Sequence, residues 1–450
     1  MLSADHVAIV GGGFSGALMA INLLRHGEAR VTLIERRGDR LGRGLAYGAA
    51  QDDHVLNVRA ANMSALPDMP DHFADWLKAR AQGQDASFAT RRTYGLYLHD
   101  LLDEAQGNAG DRLRLVEDEA IDIVLSESGA SVRLRSGTRV DADIVVIAPG
   151  NLPPHHLPAF AGLARPAYVD DPWATDIAKD LGGGDAVLLL GSGLTAVDCA
   201  LSIDTAGFSG RVVAVSRRGL MPHAHAPVAA SPPSPERPAG PASALVRSVR
   251  ARADAIGWRA AVDELRPFTQ DMWRAATAVE RARFLRHLRP YWDVHRHRIA
   301  PAVAERIAAM RATGRLDVRA AKVVSARVHD DDVEVTLRQR GSARVEPHRF
   351  ARVVNCTGPL GDLGRAQDPL LRALVRAGAI RPDPLAIGID VDRQCRAIDA
   401  SGDAQDRLRV VGPMTRGAHW EIVAVPDIRR QVWTLAREIS HAHWVEAAGL

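Results

Sequence analysis

Two apolar runs that each end in a glycine-rich turn dominate the hydrophobic pattern of this chain. The first run, residues 7–10, leads into the turn 11–16, and a stretch with the apolar pattern of a helix follows it. The second run, residues 186–190, leads into the turn 191–196 and again into an apolar helical stretch. A strand, a glycine turn and a helix in this order predict a dinucleotide-binding unit at each place.

Each glycine of the first turn has a defined role in such a unit. Gly11 permits the tight turn out of the strand, Gly13 lets the backbone approach a pyrophosphate, and Gly16 lets the helix pack closely on the sheet. The next apolar run, 30–34, ends at Glu35, the position where an acid is expected to bind the ribose hydroxyls of an adenosine. The first turn is therefore predicted to bind a dinucleotide.

The second turn has the same layout, but the strand after it ends in basic residues. Ala196 replaces the third glycine, which the pattern tolerates, and the strand 211–215 leads into Ser216, Arg217 and Arg218. A guanidinium pairs bidentately with phosphate oxygens, so these arginines favour the 2′-phosphate of NADPH over NADH. A solvated basic strand end is the alternative interpretation.

Two dinucleotides in one chain are the arrangement that hydride chemistry between a flavin and a nicotinamide needs. Later segments fit this interpretation, because the apolar strands at 143–153, 352–359 and 408–413 each run into a turn of small residues. Such strands resemble the domain-crossing and closing segments of flavoenzymes that bind two dinucleotides.

The predicted fold class is α/β, with two Rossmann-like dinucleotide-binding domains. We expect a first part of the flavin domain at 1–160, a nicotinamide domain at 161–355 and a C-terminal part of the flavin domain at 356–450. A helical insertion at 243–312, with Ser243 as a candidate N-cap, is expected inside the nicotinamide domain. The proline-rich segment 227–238 predicts an extended loop or lid.

Composition narrows the range of partners and compartments. The net charge of +3 over 450 residues gives no reason to expect nucleic acid or an anionic membrane as a partner. The three cysteines form no C-x-x-C motif, which argues against a redox-active disulfide and fits a reducing cytosol.

Without a signal peptide or a membrane-length apolar run, a cytoplasmic protein is expected. The oligomeric state is open, and a homo-oligomer is compatible with the sequence.

Further motifs are similar to those of a bacterial FAD/NAD(P)-binding family related to the N-hydroxylating ornithine and lysine monooxygenases. The segments that carry the resemblance extend over nearly the whole chain, at 42–48, 54–64, 91–98, 171–173, 291–296, 420–422 and 426–429. The resemblance implies FAD in the first unit and NADPH in the second, and urate hydroxylation as one activity of the family. Asp427 departs from the pattern, in which we expect a glutamate.

The candidate cofactor-binding residues lie in the two glycine turns, at the two strand ends and in the later small-residue turns. They are Gly11, Gly13, Phe14, Ser15, Gly16, Glu35, Arg36, Asn57, Gly191, Gly193, Leu194, Thr195, Ser216, Arg217, Arg218, Gly358 and Gly412. Candidate catalytic residues are Asp293, His295, His419 and Glu421, with His54 and Arg416 as further substrate-site candidates. No metal site is expected, because His295 and His297 lack the i, i+4 spacing of a helical metal pair.

These features favour an FAD-dependent, NADPH-using monooxygenase that hydroxylates a small metabolite with O2 through a flavin hydroperoxide, and the family resemblance implies that this metabolite is nitrogenous and purine-like. An NAD(P)H oxidase or dehydrogenase that oxygenates nothing is the second hypothesis. A non-catalytic redox sensor that binds FAD and NAD(P) is the third, although the arginines after the second unit's strand argue against it. Fold alone does not decide among them.

Overall fold

The computed structural model describes residues 4–48, 54–80, 88–163, 165–226, 236–330 and 332–442. The helices in these residues are, in chain order, α1 Phe14–His26, α2 Gly44–Gly48, α3 His72–Arg80, α4 Arg91–Ala109, α5 Leu194–Thr205, α6 Ala242–Ile256, α7 Trp258–Asp263, α8 Thr269–Ala275, α9 Ala278–Arg283, α10 Arg289–Arg296, α11 Pro301–Ala312, α12 Pro369–Arg376 and α13 Val425–Ile439. The strands are β1 His6–Val10, β2 Arg30–Glu35, β3 Leu113–Glu117, β4 Ala120–Leu125, β5 Ala130–Leu134, β6 Arg139–Ala142, β7 Ile144–Ile147, β8 Tyr168–Val169, β9 Ala186–Leu190, β10 Arg211–Ser216, β11 Leu316–His329, β12 Asp332–Gln339, β13 Val345–Phe350, β14 Arg352–Asn355, β15 Arg396–Ile398 and β16 Ala404–Val410.

The chain forms two compact units, and each is assembled from separate segments. Unit 1 draws on Met1–Ala50, Val58–Leu152 and Leu360–Leu450, and unit 2 on Gln51–Asn57 and Pro153–Pro359. Among the described residues, no helix combines the length and the apolar character needed to cross a membrane.

Unit 1 is built on a six-stranded sheet in the order β15-β16-β7-β1-β2-β3. Strand β1 lies inside the sheet, parallel to β2 on one side and to β7 on the other. Its residues Val7, Ala8 and Ile9 are fully buried. A strand covered on both faces needs an unbroken apolar run rather than an alternating one, which explains the pattern at 7–10. The first glycine turn leaves the carboxyl end of this strand.

A second layer of unit 1 covers one region of that sheet. The three-stranded antiparallel sheet β4-β5-β6 contributes buried side chains, among them Ile123 and Val132, and helix α12 contributes Leu371 and Leu374. They pack with Val145 of β7 in one hydrophobic cluster. The same cluster contains Ala8 of β1, so it stabilises the pairing of β7 with β1. Ala148, which follows β7, is thereby placed beside the first turn.

Unit 2 is built on a seven-stranded sheet in the order β13-β12-β11-β10-β9-β14-β8. Strands β8, β14, β9, β10 and β11 are parallel, and β12 and β13 extend the sheet as antiparallel neighbours. Strand β9 lies inside the parallel part, and its Val187, Leu188 and Leu189 are fully buried. The second glycine turn leaves the carboxyl end of β9. The predicted α/β class with two Rossmann-like units is therefore confirmed.

The predicted helical insertion consists of six helices, α6 to α11, between β10 and β11. The prediction that Ser243 caps its first helix is wrong. Pro241 occupies the N-cap with extended backbone angles and no side-chain capping bond, and the helix begins at Ala242, so Ser243 already lies inside the first turn. Most of the proline-rich segment, residues 227–235, lies outside the described residues.

Asp204, near the end of α5, forms ion pairs with Arg306 on α11 and with Arg315, which precedes β11. Its carboxylate oxygens lie 2.8 Å from Nη2 of Arg306 and 2.8 Å from Nη2 of Arg315. Burial by itself would raise the pKa of Asp204, but the hydrogen bonds from the two arginines outweigh burial and lower the pKa. Because the folded pKa lies below the unfolded one, ionised Asp204 stabilises the fold above the unfolded pKa. That stabilisation is lost as the pH falls through the folded pKa.

We therefore expect Asp204→Asn to lower the melting temperature at pH 7, since the amide removes the negative charge between the two arginines. The difference from the parent protein should shrink once the pH falls below about 4, the ordinary range of an aspartate pKa. Thermal unfolding at both pH values measures it. Asp75→Asn is the control, because Asp75 pairs with Lys78 on an exposed helix face and such pairs contribute little. A pH-independent deficit in Asp204→Asn would contradict this assignment.

Candidate functional site

The first turn shows why its positions 11 and 16 must be glycine. Gly11 has a φ of +100°, and a Cβ added to it would lie 2.3 Å from the carbonyl oxygen of Ala148. A Cβ added to Gly16 would lie 1.8 Å from the carbonyl oxygen of Gly11. The segment after β7, the turn and the first residues of α1 therefore approach one another at backbone distance, and a side chain at position 11 or 16 would clash.

The segment that contains α2 lies against this turn. The amide of Gly42 donates to the carbonyl oxygen of Gly12 at 2.8 Å, and a Cβ added to Gly13 would lie 3.1 Å from Cα of Gly44. The first amides of an α-helix have no intrahelical acceptor, and Gly13, the N-cap of α1, has no side chain that could accept from them. Such a helix start fits the pyrophosphate of a dinucleotide.

Phe14 fixes the direction in which α1 begins. Its ring packs edge-on against Tyr47 at 5.8 Å and lies 6.2 Å from Tyr94. Burial raises the pKa of Tyr47 to about 12, so this phenol stays neutral. The side chain of Phe14 is thus a packing element. Only its backbone amide, at the start of the helix, keeps the predicted role toward a cofactor.

Glu35 and Arg36 follow β2, and their side chains have different partners. Glu35 accepts the amide of Gly12 at 2.7 Å through Oε2 and the amide of Arg37 at 3.1 Å through Oε1. A carboxylate has about four acceptor positions, so Glu35 keeps capacity for ribose hydroxyls. The guanidinium of Arg36 lies 3.3 Å from Asp368 and 3.6 Å from Glu119. Its charge is therefore shared with two carboxylates of unit 1.

The turn after β16 comes to lie beside the first turn. Gly412 has a φ of +85°, and a Cβ added to it would lie 2.6 Å from Oγ of Ser15. The Gly412 amide donates to Oε1 of Gln431 at 2.8 Å, and Nε2 of Gln431 donates to Oγ1 of Thr415 at 2.9 Å. The fold thus joins two predicted cofactor residues, Ser15 and Gly412, that are far apart in the sequence.

Three of the predicted substrate-site residues lie on the loop from this turn to α13. His419 and Glu421 are buried and Arg416 is half-buried. Nε2 of His419 lies 3.8 Å from Sγ of Cys395, and burial raises the pKa of that thiol to about 12. Glu421 has a φ of +68°, a conformation that costs free energy in a residue with a side chain and that clusters at functional sites.

The second turn repeats the close backbone approach in unit 2. Gly191 has a φ of +127°, and a Cβ added to it would lie 2.3 Å from the carbonyl oxygen of Cys356. A Cβ added to Gly193 would meet no atom of the described residues within 4 Å. Gly193 is the N-cap of α5, which opens with the half-buried Leu194 and Thr195. The space in front of Gly193 is open to a ligand, as a pyrophosphate site requires.

Ser216 is the last residue of β10, the strand that corresponds to β2 of unit 1, and β2 ends in Glu35. Its hydroxyl lies 2.8 Å from the hydroxyl of Ser192 and accepts the amide of Gly219 at 2.9 Å. Arg217, the next residue, is exposed. The guanidinium of Arg218 lies 5.3 Å from the centre of the Tyr291 ring. Residues 216–219 contain no acidic residue, so a negative phosphate would meet the cationic side chains of Arg217 and Arg218 there.

The substrate-site candidates of unit 2 lie in separate surroundings. Asp293 lies 3.4 Å from Nε of Arg289. His295 bonds the carbonyl oxygen of Tyr291 at 2.7 Å through Nδ1, and its ring packs with the rings of His223 and Trp258.

His54 is buried and bonds Oγ of Ser202 at 2.9 Å. Its ring packs edge-on against that of Trp173, whereas the ring of His295 packs against that of Trp258.

Two further cofactor candidates, Asn57 and Gly358, belong to unit 2. The carbonyl oxygen of Asn57 accepts from Nε2 of His225 at 2.9 Å. Gly358 follows β14 with a φ of +88°. Both were predicted to bind a cofactor, and that role stays a prediction.

The structure also brings together two thiols that the sequence did not connect. Sγ of Cys199, on α5, lies 3.6 Å from Sγ of Cys356 at the end of β14. The pKa of Cys199 is raised well above its ordinary value by the hydrogen bond from Cys356 and by burial. A buried thiol with a raised pKa is a poor nucleophile, so Cys199 lacks the properties of an attacking thiol in disulfide exchange. The described residues contain no cluster of side chains suited to a metal ion.

Comparison with known proteins agrees with this geometry. Residues 8–152 match a protein-family model described as FAD-NAD(P)-binding, which confirms the family resemblance for the segment that carries the first turn. No curated protein matches the sequence.

Solved structures extend the similarity to nearly the whole chain. Ornithine hydroxylase from Pseudomonas aeruginosa is similar in fold, with a TM-score of 0.64 at 17% identity over 98% of this chain and 100% of that one. For the ornithine N-hydroxylase of Kutzneria sp. 744 the TM-score is 0.66 at 17% identity over 98% and 99%. For the cadaverine monooxygenase of Erwinia amylovora it is 0.70 at 14% identity over 100% and 98%. At these identities the likeness establishes the fold.

Proposed function

We propose that this protein is an FAD-dependent, NADPH-using monooxygenase of a small nitrogen-containing metabolite. The observation that carries the proposal is the pair of glycine turns, each pressed against a neighbouring backbone carbonyl at the carboxyl edge of a parallel sheet. The structural neighbours named above are hydroxylases and monooxygenases of this architecture. The family match over residues 8–152 supports FAD or NAD(P) as the ligand of the first turn.

The residues of unit 1 fit FAD in three respects. The start of α1 offers backbone amides to a pyrophosphate, and the missing Cβ of Gly13, which would lie 3.1 Å from Cα of Gly44, lets the turn pack directly on the segment of α2. Glu35 offers a carboxylate to ribose hydroxyls. Gly412, against Ser15, lets the backbone after β16 approach a ligand on α1. When bound, FAD supplies the electron transfer to O2, and the chain's part is to hold and shield it.

The residues of unit 2 fit NADPH. Gly193 and the start of α5 offer the pyrophosphate site, and Arg217 and Arg218 offer positive charge for the 2′-phosphate. His419 and Glu421, on the loop after Gly412, are the substrate-site candidates that we favour, because both are buried in unit 1 and Glu421 is held in a strained backbone conformation.

The structural neighbours and the family resemblance of the sequence support two different chemical classes of substrate. The neighbours are named for ornithine and cadaverine, which are amines. The family resemblance of the sequence adds purines such as urate. We therefore propose a nitrogen-containing metabolite as the substrate and test both chemical classes.

The test measures NADPH oxidation and hydrogen peroxide by the FAD-loaded protein with ornithine, lysine, cadaverine or urate. The proposal expects one compound to accelerate NADPH oxidation, suppress peroxide and yield one hydroxylated product per NADPH. An oxidase would convert all NADPH into peroxide whichever compound is present. A redox sensor would oxidise none. Either of the last two results overturns the monooxygenase assignment, and the oxidase is the second hypothesis because the same two turns serve it equally well.

A further inference from the structure

The helical insertion of unit 2 contacts the strand end that carries the two arginines. A π-helical turn, Phe284–Leu288, leads into α10. Nη2 of Arg218 donates to the carbonyl oxygen of His287 at 3.4 Å, and the Arg218 guanidinium lies over the ring of Tyr291, 5.3 Å from its centre. The insertion therefore holds the side chain of Arg218 from two sides.

Among the described residues, the contacts of Arg218 use only part of its hydrogen-bonding capacity. A guanidinium has five N–H donors, and the long bond to His287 uses one of them. Nε of Arg218 is buried and has no acceptor among the described residues. A planar cation held against an aromatic ring with unspent donors is suited to a bidentate oxyanion, because its orientation is already fixed.

Arg217 complements its neighbour. It is exposed, and it forms no ion pair with any residue that the structure describes. Helix α10 carries one acidic residue, Asp293, and its carboxylate lies 3.4 Å from Nε of Arg289 on the same helix. Ser216 is engaged with Ser192 and with the amide of Gly219. No described residue thus compensates the positive charge of Arg217.

We propose that the insertion sets nucleotide selectivity: Tyr291 and the π-helical turn hold Arg218 so that it binds the 2′-phosphate of NADPH together with Arg217. Tyr291 is then a positioning residue that touches no part of the nucleotide. The inference rests on the proposed use of NADPH by unit 2. It assigns to the insertion a binding role in addition to any role as a cover.

The test compares two ligands that differ only in the 2′-phosphate, namely 2′,5′-ADP and 5′-AMP, by isothermal titration calorimetry. The parent protein should bind 2′,5′-ADP about tenfold or more tightly than AMP, as charge-assisted hydrogen bonds to phosphate predict. Arg217→Ala should remove most of this preference. Tyr291→Ala should reduce it about two- to fivefold, the size of an exposed cation–π contact, and leave AMP affinity unchanged.

Two controls separate positioning from general damage. Tyr291→Phe keeps the ring and should keep the preference, whereas Val279→Ala changes an exposed position of the insertion and should alter neither affinity. A loss of AMP affinity in Tyr291→Ala, equal to the loss for 2′,5′-ADP, would show a merely structural role and overturn the proposal. An unchanged preference in Tyr291→Ala would overturn it as well.

The outcome is independent of the redox assignment. Binding of 2′,5′-ADP requires neither FAD nor turnover, so a protein that is not a monooxygenase would still show the predicted preference. Equal affinity of the parent protein for the two ligands would refute the inference even if NADPH reduced the flavin.

Discussion

Gly193→Ala is expected to raise the apparent Kd for NADPH about tenfold or more while changing the free energy of unfolding by only about 1 kcal/mol. The φ of Gly193 is −85°, which an alanine adopts, and the added Cβ meets no described atom within 4 Å. The same Cβ would stand where a pyrophosphate must approach the backbone. Anaerobic stopped-flow reduction of the bound flavin by NADPH, together with thermal unfolding, measures both quantities.

Gly191→Ala provides the contrast within the same turn. Its Cβ would lie 2.3 Å from the carbonyl oxygen of Cys356, at a φ of +127°. Strain and overpacking together should destabilise the protein by about 2–4 kcal/mol. Gly207→Ala separates the two causes, since Gly207 has a φ of +79° with no described atom near its added Cβ. Equal stability losses in Gly193→Ala and Gly191→Ala would contradict the distinction.

Gly11→Ala is expected to yield protein that no longer retains FAD. The added Cβ would lie 2.3 Å from the carbonyl oxygen of Ala148, and the φ of +100° disfavours any side chain. Relief of the clash must move β7 or the turn, and the start of α1 moves with it. The ratio of flavin absorbance to protein absorbance after purification reports retention, and we expect unit 1 to lose about 2–4 kcal/mol of stability.

Gly137→Ala is the matched control for this prediction. Gly137 also has a positive φ, +91°, and also belongs to unit 1, but its added Cβ meets nothing within 4 Å among the described residues. It should lose some stability and keep its FAD. Full FAD retention in Gly11→Ala would show that the first turn does not hold the cofactor in the way described.

The features that the sequence predicts well are those whose physical cause is local. The turn after β1 needs a positive φ at Gly11 and close packing at Gly16, and both requirements are met within ten consecutive residues. Buried parallel strands such as β9 need continuous apolar runs, which are visible without knowledge of the partner strand. The α/β class and the positions of both dinucleotide units follow from these patterns.

The features that the sequence could not reveal depend on contacts between distant segments. The contact of Gly412 with Ser15 arises only once β16 joins the sheet beside β7. The Cys199–Cys356 pair likewise needs α5 to pack beside the end of β14, and no spacing rule marks it. Ser243 was predicted as a cap from its residue type, whereas the backbone of Pro241 sets the start of the helix.

Electrostatic pairing is equally hidden from sequence. Arg36 directly follows Glu35, and a cation at this strand end predicts a contact with a cofactor. The fold brings Asp368 and Glu119 within ion-pair distance of its guanidinium.

Anaerobic mixing of the FAD-loaded protein with NADPH or NADH tests the central claim most directly. If each unit binds its dinucleotide for hydride transfer, NADPH bleaches the flavin absorbance near about 450 nm, a property of the oxidised cofactor, and does so faster than NADH at equal concentration. Absence of bleaching with both nucleotides would contradict the account, because two intact dinucleotide sites would then serve no electron transfer between them.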